Sequence, residues 1–296
     1  MLNSFAFFGA LETGFIFGLV ALGVFLSFRV LDFPDLTVDG SFPLGAAVAA
    51  TLIVSDIHPL LATFCACLAG SAAGLVTAWL NVQLKILHLL ASILTMIALY
   101  SINLRIMDGP NKALLGVETL LSPLDHLAIP YYIAYPIAFG LLAGAAMLAL
   151  VWFLKTEVGL AMRATGSNPR MAMANGVNTK RMIMLGMALS NALVALAGAL
   201  FAQSQGSADV TMGVGVIVIG LASVIGGEAL VPKRTLFFWV LACILGSILY
   251  RLVIAVALNG EMLGLKAQDL NLITAVLVTL AIVAPNWKSY FRSRPA

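Results

Sequence analysis

The chain has 296 residues, of which 61% are hydrophobic and 10% charged, with a net charge of +3 and a mean hydropathy of +1.05. A water-soluble domain carries about 25% charged residues, so no soluble fold could cover a core of this size, and no stretch remains for a separate soluble domain of about 100 residues. The small positive balance does not mark a nucleic-acid binder, because the basic residues sit in short patches between apolar runs, as they do on the cytoplasmic side of membrane proteins.

An all-α polytopic membrane protein is therefore expected, in a lipid bilayer and without nucleic acid as partner. The N-terminal stretch MLNSFAFFGALETGF lacks a basic leader and is read as the start of the first span rather than a removable signal. A crossing helix needs about 20 apolar residues. Candidate spans follow at Ser4–Phe28, Gly40–Val54, Pro59–Leu80, Ile86–Asn103, Tyr131–Leu154, Met182–Gln203, Val210–Ile225, Leu236–Ala257 and Leu270–Pro285, nine in all. Gly40–Val54 and Val210–Ile225 are short for plain spans and point to broken or partial helices, which membranes tolerate where they line a cavity. Cys65, Cys67 and Cys243 all fall in apolar runs. The Cys-x-Cys pair lacks partner ligands, and the three read as small core residues. His58, His88 and His126 are scattered, so no metal site is expected.

Lys and Arg orient the spans. With the N-terminus outside and the C-terminus cytoplasmic, the inner segments hold twelve basic residues, among them Arg29, Lys85, Lys233 and Arg234 and five between Lys155 and Arg181, against three outside, Arg105, Lys112 and Lys266. Glu12 and Arg251 lie inside spans, where ionisable groups default to functional candidates. Glu12 is near an outer helix end, and Arg251 is placed where its long side chain can snorkel to the interface.

An internal repeat is also expected. Leu19-Val20-Ala21-Leu22 recurs as Leu193-Val194-Ala195-Leu196, and Asp35-Leu36-Thr37-Val38 resembles Asp209-Val210-Thr211-Met212, both at an offset of 174. Five spans separate the start of one copy from the other, an odd number, so the halves, about 1–154 and 182–296, would be inverted within one transmembrane domain, as transporters are often built. Each Asp-x-Thr precedes a short helix. Asp35 and Asp209 are either pathway residues or caps of those helices. The polar residues Asp35, Thr37, Asp39, Asn191, Gln203, Asp209 and Thr211 are the candidates for a translocation path.

The segment 155–181, KTEVGLAMRATGSNPRMAMANGVNTKR, is the long polar stretch of the inner face. Its pattern predicts a helix over Val158–Ala164, a break at Thr165-Gly166-Ser167-Asn168-Pro169, and a second helix over Arg170–Ala174 closed by Asn175-Gly176. Gly166 is read as a turn residue needing positive φ, and Pro169 as the first residue of the second helix. Such a hairpin is either a docking element for a cytoplasmic partner or a basic loop that sets topology.

EVGLAMRATGSNPRMAMANGVNTKR followed by LGMALSNALVALAGALFAQ resembles the coupling region of ATP-binding cassette (ABC) importer permeases of the branched-chain amino acid and ribose type, which carry a Gly-x-x-x-Arg-Ala-x-Gly-x-Asn-x-x-x-Ala-x-x-x-Gly pattern. Gly159, Arg163, Ala164, Gly166, Asn168, Ala172 and Gly176 fall on it. The stretches Arg29–Ala50, Leu99–Gly109 and Gly215–Leu230 are similar to the tryptophan/tyrosine-type and uncharacterised uptake permeases of that superfamily. The resemblance covers nearly the whole chain. It implies a type II importer-like permease in a bacterial inner membrane, working as a homodimer or pseudodimer with cytoplasmic ATPase subunits and an extracytoplasmic substrate-binding protein. Glu157, Gly159, Arg163, Ala164, Gly166, Asn168, Pro169 and Gly176 are then the residues expected to couple the permease to the ATPase.

The chain has no Gly-Lys-Ser/Thr phosphate cradle. ATP and magnesium are thus expected on the partner ATPase, with no cofactor and no catalytic residue on this chain. Gly213-x-Gly215 opens an apolar segment and does not read as a dinucleotide loop. A secondary transporter built on an inverted repeat is the alternative, but such proteins usually place coupling carboxylates at mid-span, and acids are scarce there. A membrane-embedded enzyme would need paired carboxylates or histidines near an interface, and none are clustered.

Overall fold

The computed structural model describes residues 4–125, 130–231 and 235–259, with positions 276 and 279. Helix α1 (Ser4–Val24) continues into a π-helical turn at Phe25–Val30, followed by α2 (Val38–Val54), α3 (Pro59–Val82) and α4 (His88–Met107). A short strand β1 (Asn111–Ala113) and the single turn α5 (Ser122–Asp125) lead to α6 (Tyr131–Lys155). A hairpin of α7 (Glu157–Ser167) and α8 (Pro169–Ala174) then precedes α9 (Thr179–Gln205), β2 (Ser207–Asp209), a 3-10 turn at Val210–Gly213, α10 (Val216–Leu230) and α11 (Leu236–Asn259).

Among the described residues seven segments are long and apolar enough to cross a membrane, and Val38–Val54 is a shorter apolar helix. The chain is a multi-pass, all-α membrane protein. Eight of the nine expected spans correspond to these seven segments and the short helix, and the ninth, Leu270–Pro285, lies outside the described residues apart from positions 276 and 279. The segment read as Val210–Ile225 is also longer than expected. It reaches Leu230, because Gly226, Gly227 and Glu228 continue α10 instead of ending it.

Helix ends follow local chemistry. Pro59 opens α3 while the His58 side chain accepts the amide hydrogen of Leu60. Asp108 ends α4 and Gly206 ends α9, both left-handed. At one end of the bundle β1 pairs antiparallel with β2, Lys112 opposite Ala208. At the other end lies the α7–α8 hairpin. Lipid tails give no hydrophobic drive between helices, so close approach and interhelical hydrogen bonds must bind them. Gly70 and Gly74 of α3 lie against the backbone of Asn191 and Met187 in α9, and Gly45 of α2 lies against Ala195. A Cβ at any of the three would run into a carbonyl oxygen. Ser190 Oγ donates to the Gly23 carbonyl at 2.7 Å, joining α9 to α1, and Ser247 Oγ donates to the Gly14 carbonyl at 2.7 Å, joining α11 to α1. The outward faces of α3 and α4 carry exposed Phe64, Leu68, Trp79, Leu90 and Ile97, as a lipid-facing surface does.

Arg251 departs from the snorkelling expected of it. Its guanidinium lies 3.8 Å over the Phe17 ring of α1, and its buried Nε has no hydrogen-bond partner among the described residues. Glu12 is hydrogen-bonded by the Ser204 hydroxyl at the strand end.

Candidate translocation path and coupling hairpin

The seven polar path candidates separate into four places. Asp35, Thr37 and Asn191 form a fully buried network. Asp35 Oδ1 accepts the Thr37 amide at 2.9 Å, and its Oδ2 accepts Asn191 Nδ2 at 2.8 Å. Asn191 Oδ1 accepts the Ser41 hydroxyl at 2.6 Å, and the Thr37 and Thr77 hydroxyls meet at 2.8 Å. This network joins the approach to α2, α2 itself, α3 and α9 where they are most tightly packed. Gln203 is elsewhere, near the strand end. It accepts the Leu120 amide at 3.0 Å and donates to Thr63 Oγ1 at 3.0 Å, so it pins the 119–122 segment to the start of α3.

Asp209 closes β2. It accepts the amide of Thr211 at 2.7 Å and its hydroxyl at 2.5 Å, with Asn111 Nδ2 at 3.3 Å. The Thr211 hydroxyl, followed by its amide, holds the Asp209 carboxyl below the usual carboxylate range. Asp35 and Asp209 thus make the same local turn onto a threonine two residues ahead. Only Asp209 stands directly at a helix start, that of the 3-10 turn, since Thr37 occupies the N-cap position of α2.

Asp39 does something sequence reasoning did not foresee. From the first turn of α2 its Oδ1 accepts the Ile217 amide at 2.8 Å and its Oδ2 the Gly215 amide at 3.3 Å. Gly215 is left-handed (φ 82°) and starts α10 without a side-chain cap of its own. A residue at the start of one helix therefore caps another, bringing the N-termini of α2 and α10 together around a single carboxylate that offsets their positive dipole ends. Asp39 and Thr211 line a common cavity of about 400 Å³ with Gly40, Pro43, Met96, Ile97, Tyr100, Asn103, Val210 and Val214. Tyr100 and Asn103 were absent from the expected path. The expected span Ile86–Asn103 makes Asn103 a helix end, whereas its signal is a polar side chain within an apolar helix.

At the other end, the hairpin is built as expected in its second half. Asn168 Oδ1 accepts the Met171 amide at 3.1 Å, Pro169 is the first residue of α8, and Gly176 has φ 81°. In the first half, Thr156 Oγ1 accepts the Gly159 amide at 3.3 Å and caps α7, with Glu157 in the first turn facing the positive helix end. The expected break at Thr165 and the turn role of Gly166 are corrected. The helix runs through Ser167, and Gly166 is helical. Gly166 is required by proximity instead, because a Cβ there would collide with the Val30 carbonyl oxygen. So α7 lies directly on the π-helical end of α1. Ala164 sits in α7 beside Arg163, whose side chain is exposed in a second cavity shared with Arg29, Asp32, Gly166 and Trp239. Arg29 Nε lies 2.9 Å from Glu228 Oε1 and its guanidinium lies over Trp239 at 5.5 Å, so the end of α1 under the hairpin is tied to the ends of α10 and α11.

Residues 6–283 match the family model described as branched-chain amino acid transport system / permease component. The chain belongs to this permease family. It is similar to the tyrosine transport system permease protein of Clostridioides difficile (strain R20291), 38% identical over 92% of this chain and 88% of that protein. It is also similar to an uncharacterised protein of Rickettsia prowazekii (strain Madrid E), 34% identical over 92% of this chain and 95% of the relative. More distantly, it resembles the ribose import permease protein RbsC of Escherichia coli (strain K12), at 25% identity over 86% and 77%. No solved structure gives a significant match.

Proposed function

We propose that this permease is the membrane subunit of an ABC importer that carries an amino acid or a related small solute, driven by a separate cytoplasmic ATPase. The observation that carries the reading is α7 seated on the π-helical end of α1 without room for a Cβ at Gly166, in a chain 38% identical to a tyrosine transport permease. A surface hairpin fixed this closely to a span can pass a push from a bound partner into the bundle. The Arg29–Glu228 pair carries the same push towards α10, whose far end is held by Asp39. The chain itself is non-catalytic in this account. ATP and magnesium belong to the ATPase pair, a substrate-binding protein delivers solute on the opposite face, and two copies of the chain flank the path. The inverted halves 1–154 and 182–296 form one domain joined by the coupling segment 155–181.

Affinity purification of the tagged chain in mild detergent is expected to recover an ATPase subunit at near-equal stoichiometry. A chain that purifies alone from its native membrane would remove the ABC reading. Orientation has its own test. In a background lacking Cys65, Cys67 and Cys243, a cysteine at Lys112 should react with an impermeant maleimide from outside, and one at Asn168 only after the membrane is opened. The reverse pattern would place the hairpin outside and the C-terminal side with it.

A further inference from the structure

The cavity between α2, α4 and the 210–214 turn has a chemistry that the capping role of Asp39 does not use up. Asn103 is fully buried in α4 and lines this cavity. Its Nδ2 donates to the Gly40 carbonyl at 3.3 Å, but its Oδ1 has no hydrogen-bond partner among the described residues. A buried carbonyl oxygen without a donor is unfavourable, so a donor supplied from the cavity would be favoured. The Asp39 carboxylate and the Thr211 hydroxyl also accept, and the Tyr100 phenol can either accept or donate. The Asp39 oxygens each keep a lone-pair direction after taking one amide hydrogen, and the Thr211 hydroxyl already donates its hydrogen to Asp209. Among the described residues no basic side chain lines the cavity. Most of the remaining lining is apolar or aromatic, with Met96, Ile97 and the half-exposed ring of Tyr100.

The geometry points to a binding site for a solute that carries a primary ammonium beside an apolar body, with the ammonium directed to Asn103 Oδ1 and Asp39 and the body against Tyr100, Met96 and Ile97. About 400 Å³ holds a free amino acid or its amine but not a peptide of several residues. The inference rests on the importer reading and adds to it a station on this chain that recognises the amino end of the solute, leaving the carboxylate without a cationic partner. Asp39 and Thr211 are the two sequence-expected path residues that belong to it.

The test is ligand-observed saturation-transfer NMR on the full chain in nanodiscs of uncharged lipid, with empty nanodiscs subtracted. The probes are L-tyrosine, tyramine, 3-(4-hydroxyphenyl)propanoate and D-ribose. Tyramine and tyrosine should receive saturation, the carboxylate analogue about tenfold less, and ribose none above the empty disc, the tenfold being what one charge-assisted hydrogen bond confers. Asn103→Leu should reduce the preference for amine over acid, with Asp39 supplying what remains. Tyr100→Leu, a change at the cavity lip outside the buried packing, should weaken both amines while keeping their preference over the acid. The wild-type series needs no variant to fold. Equal saturation of amine and acid, absence of saturation above the empty disc, or an unchanged preference in a folded Asn103→Leu variant would each overturn the site. Failure of the importer reading looks different. Amine-selective binding would persist, and neither ATPase recovery nor ATP-driven uptake would be seen.

Discussion

Gly166→Val is expected to leave the chain inserted and at wild-type abundance while cutting solute-stimulated ATP hydrolysis and uptake at least about tenfold. Coupling between two sites is typically 1–3 kcal/mol, or 5- to 150-fold, and this substitution acts on the contact that would transmit it. The Val30 carbonyl that a Cβ would strike is backbone and cannot swing aside. The valine must therefore lift α7 away from α1, against α6 and α9, which also bound it. Gly166→Ala should show the same defect in milder form, since its Cβ meets the same oxygen. Arg163→Glu reverses an exposed charge on the hairpin without touching that contact. It should uncouple only if Arg163 meets a carboxylate or backbone of the ATPase. The assay is ATPase stimulation in the reconstituted complex. If α7–α8 served only to set topology, both glycine variants would transport normally.

Asn191→Leu is expected to lower the thermal unfolding midpoint of the purified protein by several degrees, a cost of about 3 kcal/mol. Interhelical hydrogen bonds in membranes average only about 0.6 kcal/mol. This substitution does more than delete one. It strands Asp35 Oδ2 and the Ser41 hydroxyl, both fully buried, and each unsatisfied buried group costs about 1–3 kcal/mol. Asp35→Ala combined with Asn191→Leu should recover part of the loss, because removing both partners is less harmful than removing one. Asp209→Asn, at the edge of the strand pair, should change the midpoint little. The melt is followed by the fluorescence of a thiol-reactive dye or by loss of monodisperse elution. Equal destabilisation by Asp209→Asn and Asn191→Leu would contradict the assignment of the buried network as a structural lock.

Much of this arrangement could be read from the residues. Apolar runs of span length, interrupted by Lys and Arg, marked the helices because the bilayer admits few alternatives. The short helix Val38–Val54 was visible as a short run after Asp-x-Thr, whereas the second such segment extends to Leu230. The hairpin's second helix was visible because Asn168-Pro169 starts helices for local reasons. What the sequence hid was distance. Asp39 meets the amides of Gly215 and Ile217 from 176 and 178 residues away, and nothing local announces that one helix start caps another. Gly166 carried a correct signal with the wrong cause. Glycine beside Ser-Asn-Pro reads as a turn, whereas the restriction is a neighbour's carbonyl, visible only once α1 is in place. Asn103 was legible as a polar residue but was spent as a boundary, since an isolated asparagine near an apolar helix end looks like its terminus.

The measurement that bears most directly on the central claim is uptake of labelled L-tyrosine into proteoliposomes that contain the purified permease, its co-purified ATPase and the binding protein. Accumulation is predicted to require ATP and magnesium on the face that carries the α7–α8 hairpin, and to continue when ionophores collapse proton and sodium gradients. Uptake by the permease alone, driven by an ion gradient and indifferent to ATP, would contradict the account and make the protein a secondary transporter.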